Sequence, residues 1–164
     1  MTPEETIEKR LVEKFADLFA DEGLGIQVAG LLQSTPGSVK GLEESGADGV
    51  VFVKARPRSY MTATTPECQI AVSVSATMRA DADYNGESFL SVFSLLVEQF
   101  QRWQRCLEDA HEAFTVDGVF DCTGYALNEG DTAADAAGKT WSYVHEMTIF
   151  GIIQYQQTQQ EERQ

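Results

Sequence analysis

The segment that most constrains this chain is CQIAVSVSATM, residues 68–78, where Ile70, Val72, Val74, Ala76 and Met78 alternate with Ala71, Ser73, Ser75 and Thr77. A strand turns successive side chains to opposite faces, so alternation of this length specifies one apolar face and one small, polar face. The chain must build a sheet with a core packed against one side.

Two segments carry the helical period instead. Thr2 can cap a helix, Pro3 suits its first position, and Glu5 completes a capping box. Ile7, Leu11, Phe15, Leu18 and Phe19 then recur at helical spacing with Val12 beside them, and Gly23 can end the run, which predicts an amphipathic helix over about residues 3–22. In ESFLSVFSLLVEQFQRWQRCLEDAHEAF, Phe89, Phe93, Leu96, Phe100, Trp103 and Leu107 step by four and three residues, widened by Leu90 and Val97. This predicts one long helix lying on the sheet. The stripe is too short and too aromatic for a coiled coil.

The remaining apolar runs are extended. GIQVAGLLQ and GVVFVKARP are short and rich in branched residues, the second with Val50 and Phe52 on one face and Val51 and Val53 on the other. Between them, STPGSVKGLEESGADG carries four Gly and a Pro, a long hairpin connection or a flexible flap. FTVDGVFDCTGYAL places Phe114, Val116, Phe120 and Cys122 on one side. TWSYVHEMTIFGIIQY does so for Trp141, Tyr143, Met147, Ile149, Ile153 and Tyr155. The connector NEGDTAADAAGK is small and acidic. The expected architecture is a single α+β domain over residues 1–155, a two-layer sandwich in the order αβββαββ. Its mostly antiparallel sheet carries both helices on one face, and the uncovered face displays Ser73, Ser75, Ser142 and Val144. The Gln-rich segment 156–164 has nothing to bury and is expected to be a flexible tail.

The size suits one core: 164 residues, 43% hydrophobic and 23% charged. No run approaches the roughly 18 apolar residues of a membrane span, and MTPEETIEKR is acidic where a signal peptide would be basic, so a cytoplasmic protein is expected. Cys68, Cys106 and Cys122 are widely spaced and include no CxxC pair, which argues against a disulfide framework or a zinc knuckle. A net charge of −14 disfavours nonspecific binding to nucleic acid or anionic membrane. Between Cys106 and Gly138 stand eight carboxylates and no Lys or Arg. This is either a solvated acidic surface, or a face for a basic partner or for a polyanion that must slide past.

The stretch DADYNGE, residues 81–87, begins like a calcium-binding EF-hand loop, with Asp81, Asp83, Asn85 and Gly86. Such a loop also needs a Glu at its twelfth position, an apolar residue at its eighth and a helix before it. Here those positions are Val92 and Ser88, and a strand precedes. Asp81, Asp83 and Asn85 are thereby reduced to a weak metal candidate, and no cofactor is expected. The same residues serve better as a strand-to-helix corner capped by Asn85.

Catalytic patterns fail in the same way. There is no GxSxG elbow, and PGSVKG has the wrong order for a phosphate loop. His111 and His145 fit structural roles, so no enzyme is expected. KARPRS, with Lys54, Arg56 and Arg58, is the basic cluster, and Pro57 suits an edge strand. It is either a solubilising edge that blocks stray strand pairing, or the counterpart of the acidic segment of Glu129, Asp131 and Asp135 on another copy, a self-complementary arrangement for a head-to-tail ring.

The first helix, the long flap, the strand QIAVSVSATM, the second helix FLSVFSLLVEQFQRW and the final pair around FTVDGVF and MTIFGIIQY together resemble the tail-terminator and minor tail-component proteins of tailed bacteriophages, over about residues 3–155. The resemblance implies a virion structural protein of the tail or neck, assembled in the bacterial host cytoplasm. It would form a ring, usually a hexamer, that binds tail-tube protein, ends tube growth and meets the head–tail connector protein. It implies no catalytic residues. Loops 34–49 and 128–139 would order on assembly, and an acidic lumen would repel passing DNA. The alternative is a small ligand-binding or enzymatic domain with a pocket between helix and sheet, lined by Phe93, Trp103, Trp141 and Tyr143.

Overall fold

The computed structural model of the chain describes residues 2–21, 25–30, 49–79, 87–128, 131–134 and 140–154. Its elements run α1 (Pro3–Asp21), β1 (Ile26–Gly30), β2 (Gly49–Ala55), β3 (Ser59–Tyr60), β4 (Glu67–Arg79), α2 (Glu87–Arg105), α3 (Leu107–Phe114), β5 (Phe120–Leu127), β6 (Asp131–Ala134) and β7 (Thr140–Ile153). The strands form one sheet in the order β1, β2, β4, β7, β5, with the short β3 beside β4 and the short β6 beside β7. All described pairings are antiparallel except that of β1 with β2. The protein is an α+β sandwich with its core between the helices and one face of a mixed sheet.

The alternation in β4 does what it implies. Cys68, Ile70, Val72, Val74, Ala76 and Met78 are all buried. Their neighbours across β7 include Met147 opposite Val72 and Ile149 opposite Ile70, while Val53 of β2 lies opposite Val74. Helix α1 adds Ile7, Leu11, Phe15 and Phe19, and α2 adds Val92, Leu96, Phe100 and Trp103. Burying each such side chain contributes about 1.5–3 kcal/mol. At its start, α1 is capped as expected: the Glu5 N–H donates to Thr2 Oγ1 at 3.2 Å.

Two short strands, β3 and β6, are not expected from the sequence, the latter setting residues 131–134 of the acidic connector against β7. Three further elements differ from the sequence expectation. First, β1 and β2 run parallel, so the chain between them is not a hairpin connection. A parallel pair needs a crossover of about a dozen residues or more, and residues 31–48 supply that length.

Second, the run 87–114 is two helices. The chain breaks at Cys106, whose φ of −123° and ψ of 99° are extended, and α3 sets off on a new axis. Leu107, which continues the stripe on a straight helix, is 56% exposed, whereas Ala110 and Phe114 are buried. The break lets Phe114 meet Trp103 at 4.9 Å and stack on Tyr125 at 5.8 Å. Arg10 of α1 then donates to the carbonyls of Ala113 and Thr115, capping the end of α3.

Third, Phe114 ends a helix and does not begin a strand. A tight turn follows in which Gly118 takes φ 75°, and the strand starts only at Phe120. Phe114, Phe120 and Cys122 are nonetheless buried together.

The proposed stop at Gly23, most of the flap, the DADYNG corner, residues 135–139 and the tail lie outside the described residues.

Candidate functional site

The basic cluster KARPRS does not stay together. Just past the end of β2, Arg58 turns inward to α1, its Nε 3.1 Å from Glu4 Oε1, with side chains only 22% and 11% exposed. This ion pair belongs to the fold, so Arg58 is not available to a second copy. Arg56 crosses the sheet surface instead, its Nη2 4.0 Å from Oε1 of Glu146 on β7, with both side chains more than half exposed at 57% and 54%. Lys54 is exposed on the same face, opposite Ser73 of β4. Of the acidic partners, Asp131 opens β6 with its Cα opposite Val144 of β7. Glu129 and Asp135 lie outside the described residues, as do Asp81, Asp83 and Asn85.

A buried acidic side chain escaped the sequence reading. Glu8 is fully buried, and its Oε2 accepts the backbone N–H of Ala55 at 3.0 Å. A Cβ on Gly30 would stand 2.4 Å from Glu8 Oε1, so the glycine makes room for the carboxylate. Glu8 thereby ties the end of β2 to α1. The signal was present: at about 100° per residue, Glu4 and Glu8 fall within the arc from Ile7 through Leu11 and Phe15 to Phe19.

Inside the core, Tyr143 and His145 of β7 form a polar pair. Tyr143 is pushed up to about 12 by burial, so its hydroxyl stays protonated, and it shares a hydrogen bond with Nδ1 of His145. Burial lowers the imidazole pKa, which favours its neutral form. The imidazole stacks on Phe100 of α2 at 4.5 Å and 16°. Nε2 is buried with no hydrogen-bond partner among the described residues. The pair is too enclosed to meet a substrate and serves to key α2 to the sheet. His111 makes an exposed pair with Asp121 at 2.9 Å.

Of the side chains named for an internal pocket, Phe93 meets Tyr143 edge-on at 4.6 Å, and Trp103 packs among Phe15, Phe100 and Phe114. The Trp141 side chain lies outside the described residues. Trp103 also reaches a surface groove of about 580 Å³ between α1, α2 and α3, edged by Arg10, Lys14, Asp17, Gln99 and Arg102. The Lys14 ammonium sits 5.9 Å from the Trp103 ring centroid there. Burial pushes the Cys68 and Cys122 thiols up, away from the reactive thiolate. Among the described residues no His, Cys, Asp and Glu side chains gather in a group that could hold a metal ion.

The face of the sheet opposite the helices carries no described helix. Its rows, read across β2, β4 and β7, are Phe52, Ser75 and Val144, then Lys54, Ser73 and Glu146. Val144 on this face is 42% exposed. No described helix is long and apolar enough to cross a membrane. A scan against models of known protein families finds no match for this chain, and a search of curated proteins finds no relative.

Proposed function

We propose that this chain is a structural protein of a bacteriophage or prophage. In this reading it closes into a ring, caps the tail tube, ends its polymerisation and joins the tail to the head connector. The observation that carries the reading is opposite charge at opposite edges of one sheet. Lys54 lies past the end of β1, whose pairing with β2 stops at Val53, and Arg56 follows it. Asp131 lies on β6, at the outer edge of β7. Two intervening strands, β4 and β7, separate Lys54 from Asp131 within one chain, while Arg56 is already drawn to Glu146 of its own β7. The basic edge can meet the acidic edge of the next copy. A contact between unlike patches repeats with a constant rotation and closes into a ring when the rotation divides a full turn. Glu129 and Asp135, adjacent in sequence to β6, belong to the same proposed contact.

The hexamer, the tail-tube partner and the place in the tail or neck come from the resemblance to tail-completion proteins, and the α+β architecture is consistent with it. The test is light scattering after size exclusion at high concentration, with electron microscopy for rings and a binding assay against tail-tube protein. Rings that are lost on Asp131→Lys are expected. A strict monomer that also ignores tail-tube protein refutes the reading.

A further inference from the structure

We propose that the helix-free face of the sheet pairs with the same face of a second copy, about a two-fold axis running along β4. This contact uses a different surface from the edge-to-edge contact proposed for the ring and shares only Lys54 with it.

Residues directly opposite on paired strands point to the same face. Register therefore makes one row across the sheet a cation, a small hydroxyl and an anion: Lys54, Ser73, Glu146. The adjacent row is apolar, small and apolar: Phe52, Ser75, Val144. An axis parallel to β4, midway between two facing sheets, exchanges left and right within each row and keeps the rows aligned. Lys54 then stands over the partner's Glu146, and Glu146 over the partner's Lys54. Phe52 likewise meets the partner's Val144 on both sides of the axis, while Ser73 and Ser75 meet their own counterparts.

The alternative axis, across the strands, would set Lys54 on the partner's Lys54. Charge thus selects one arrangement, and that arrangement is isologous. Stacked sheets lie roughly 10 Å apart, and two facing serines leave the space into which Phe52 and Val144 interdigitate.

The residues that would make first contact are already presented to solvent. Lys54, Val144 and Glu146 are exposed. Arg56 approaches Glu146 only at 4.0 Å, so a partner's Lys54 joins this carboxylate without displacing a tight bond. At the far end of β4, Glu67 is exposed and would face its own counterpart. Sheet twist splays the stack there and leaves that carboxylate in water.

The experiment is sedimentation velocity over a dilution series on five proteins: wild type, Ser75→Arg, Lys54→Glu, Lys54→Glu with Glu146→Lys, and Lys54→Glu with Asp131→Lys. Circular dichroism verifies that each is folded. The wild type should show a mass of two copies, or of twice a ring. Ser75→Arg and Lys54→Glu should each raise the dissociation constant of that step at least tenfold, and the charge swap should restore it. A wild type that never exceeds one copy or one ring overturns the proposal, as does a Lys54→Glu protein that pairs normally or a swap that rescues nothing. Rescue of Lys54→Glu by Asp131→Lys instead would also overturn it, while leaving the ring reading intact. A wild type that stops at two copies and obeys the swap would do the reverse.

Discussion

Gly151→Ala tests how the last strand is packed, and its cost can be worked from the geometry. Gly151 sits in β7 between Cys68 of β4 and Cys122 of β5. A Cβ built there would lie 2.3 Å from Cζ of Phe120 and 2.5 Å from the backbone oxygen of Asp121. Neither neighbour can give way easily. Phe120 is fully buried, so its ring has no solvent to swing into, and the carbonyl belongs to β5. The register of β5 slips between Cys122 and Gly124, one residue along, so the strand already bends around this contact. Overpacking of this kind costs about 1–3 kcal/mol. For a domain of this size each kcal/mol moves the melting temperature by about 2–4 °C, which gives a fall of about 2–12 °C. Gly124→Ala is the control, because its Cβ would find only Phe150 at 3.6 Å, an ordinary contact. Urea unfolding of the two variants beside the wild type is the assay, and shortening the ring in Phe120→Leu should relieve part of the Gly151→Ala penalty. If Gly151→Ala is no less stable than Gly124→Ala, the glycine is not required by the Phe120 ring and the reasoning fails.

Two further predictions concern buried charge and titration. Arg58→Ala leaves the Glu4 carboxylate enclosed without its cation and should lower stability by about 1–3 kcal/mol, more than the paired change Glu4→Met with Arg58→Met, as read by urea unfolding. The neutral state of His145 is favoured by the fold, so the unfolded chain takes up its proton first, near the ordinary value of about 6.5. Stability should therefore be full above that pH and decline as pH falls below it toward the lowered native pKa, by at most about 1.4 kcal/mol per unit. His145→Gln should remove that part of the slope. Identical melting profiles for the two proteins between pH 6.5 and 5 would contradict the assignment.

The clearest sequence patterns came through because each depends on local periodicity. Strict alternation in CQIAVSVSATM predicted a one-sided strand, and β4 buries every second residue from Cys68 to Met78. The spacing from Ile7 to Phe19 predicted the buried face of α1, and Thr2 caps it. Where a pattern was ambiguous, a distant contact decided. Leu107 fits the stripe of α2 as well as Trp103 does, yet the helix breaks at Cys106 because Phe114 must reach Trp103 and Tyr125. Phe114 and Val116 alternate like strand residues, but Arg10 and Gly118 make that stretch a helix end and a turn. The candidate site was legible as residue types and not as an arrangement. KARPRS reads as one basic cluster until Glu4, more than fifty positions earlier, takes Arg58 away and Glu146 draws Arg56 across the sheet.

The sequence by itself determined the one-sided burial of β4 and of α1, and that the chain is strongly acidic, since these follow from period and composition. The tertiary structure alone decided the parallel pairing of β1 with β2, the break at Cys106, the fate of each basic residue, and the row that sets Lys54, Ser73 and Glu146 side by side. The physical reason is that periodicity says which way a side chain points along its own element. Its partner across the sheet depends on strand order and register, which pair residues far apart in the chain.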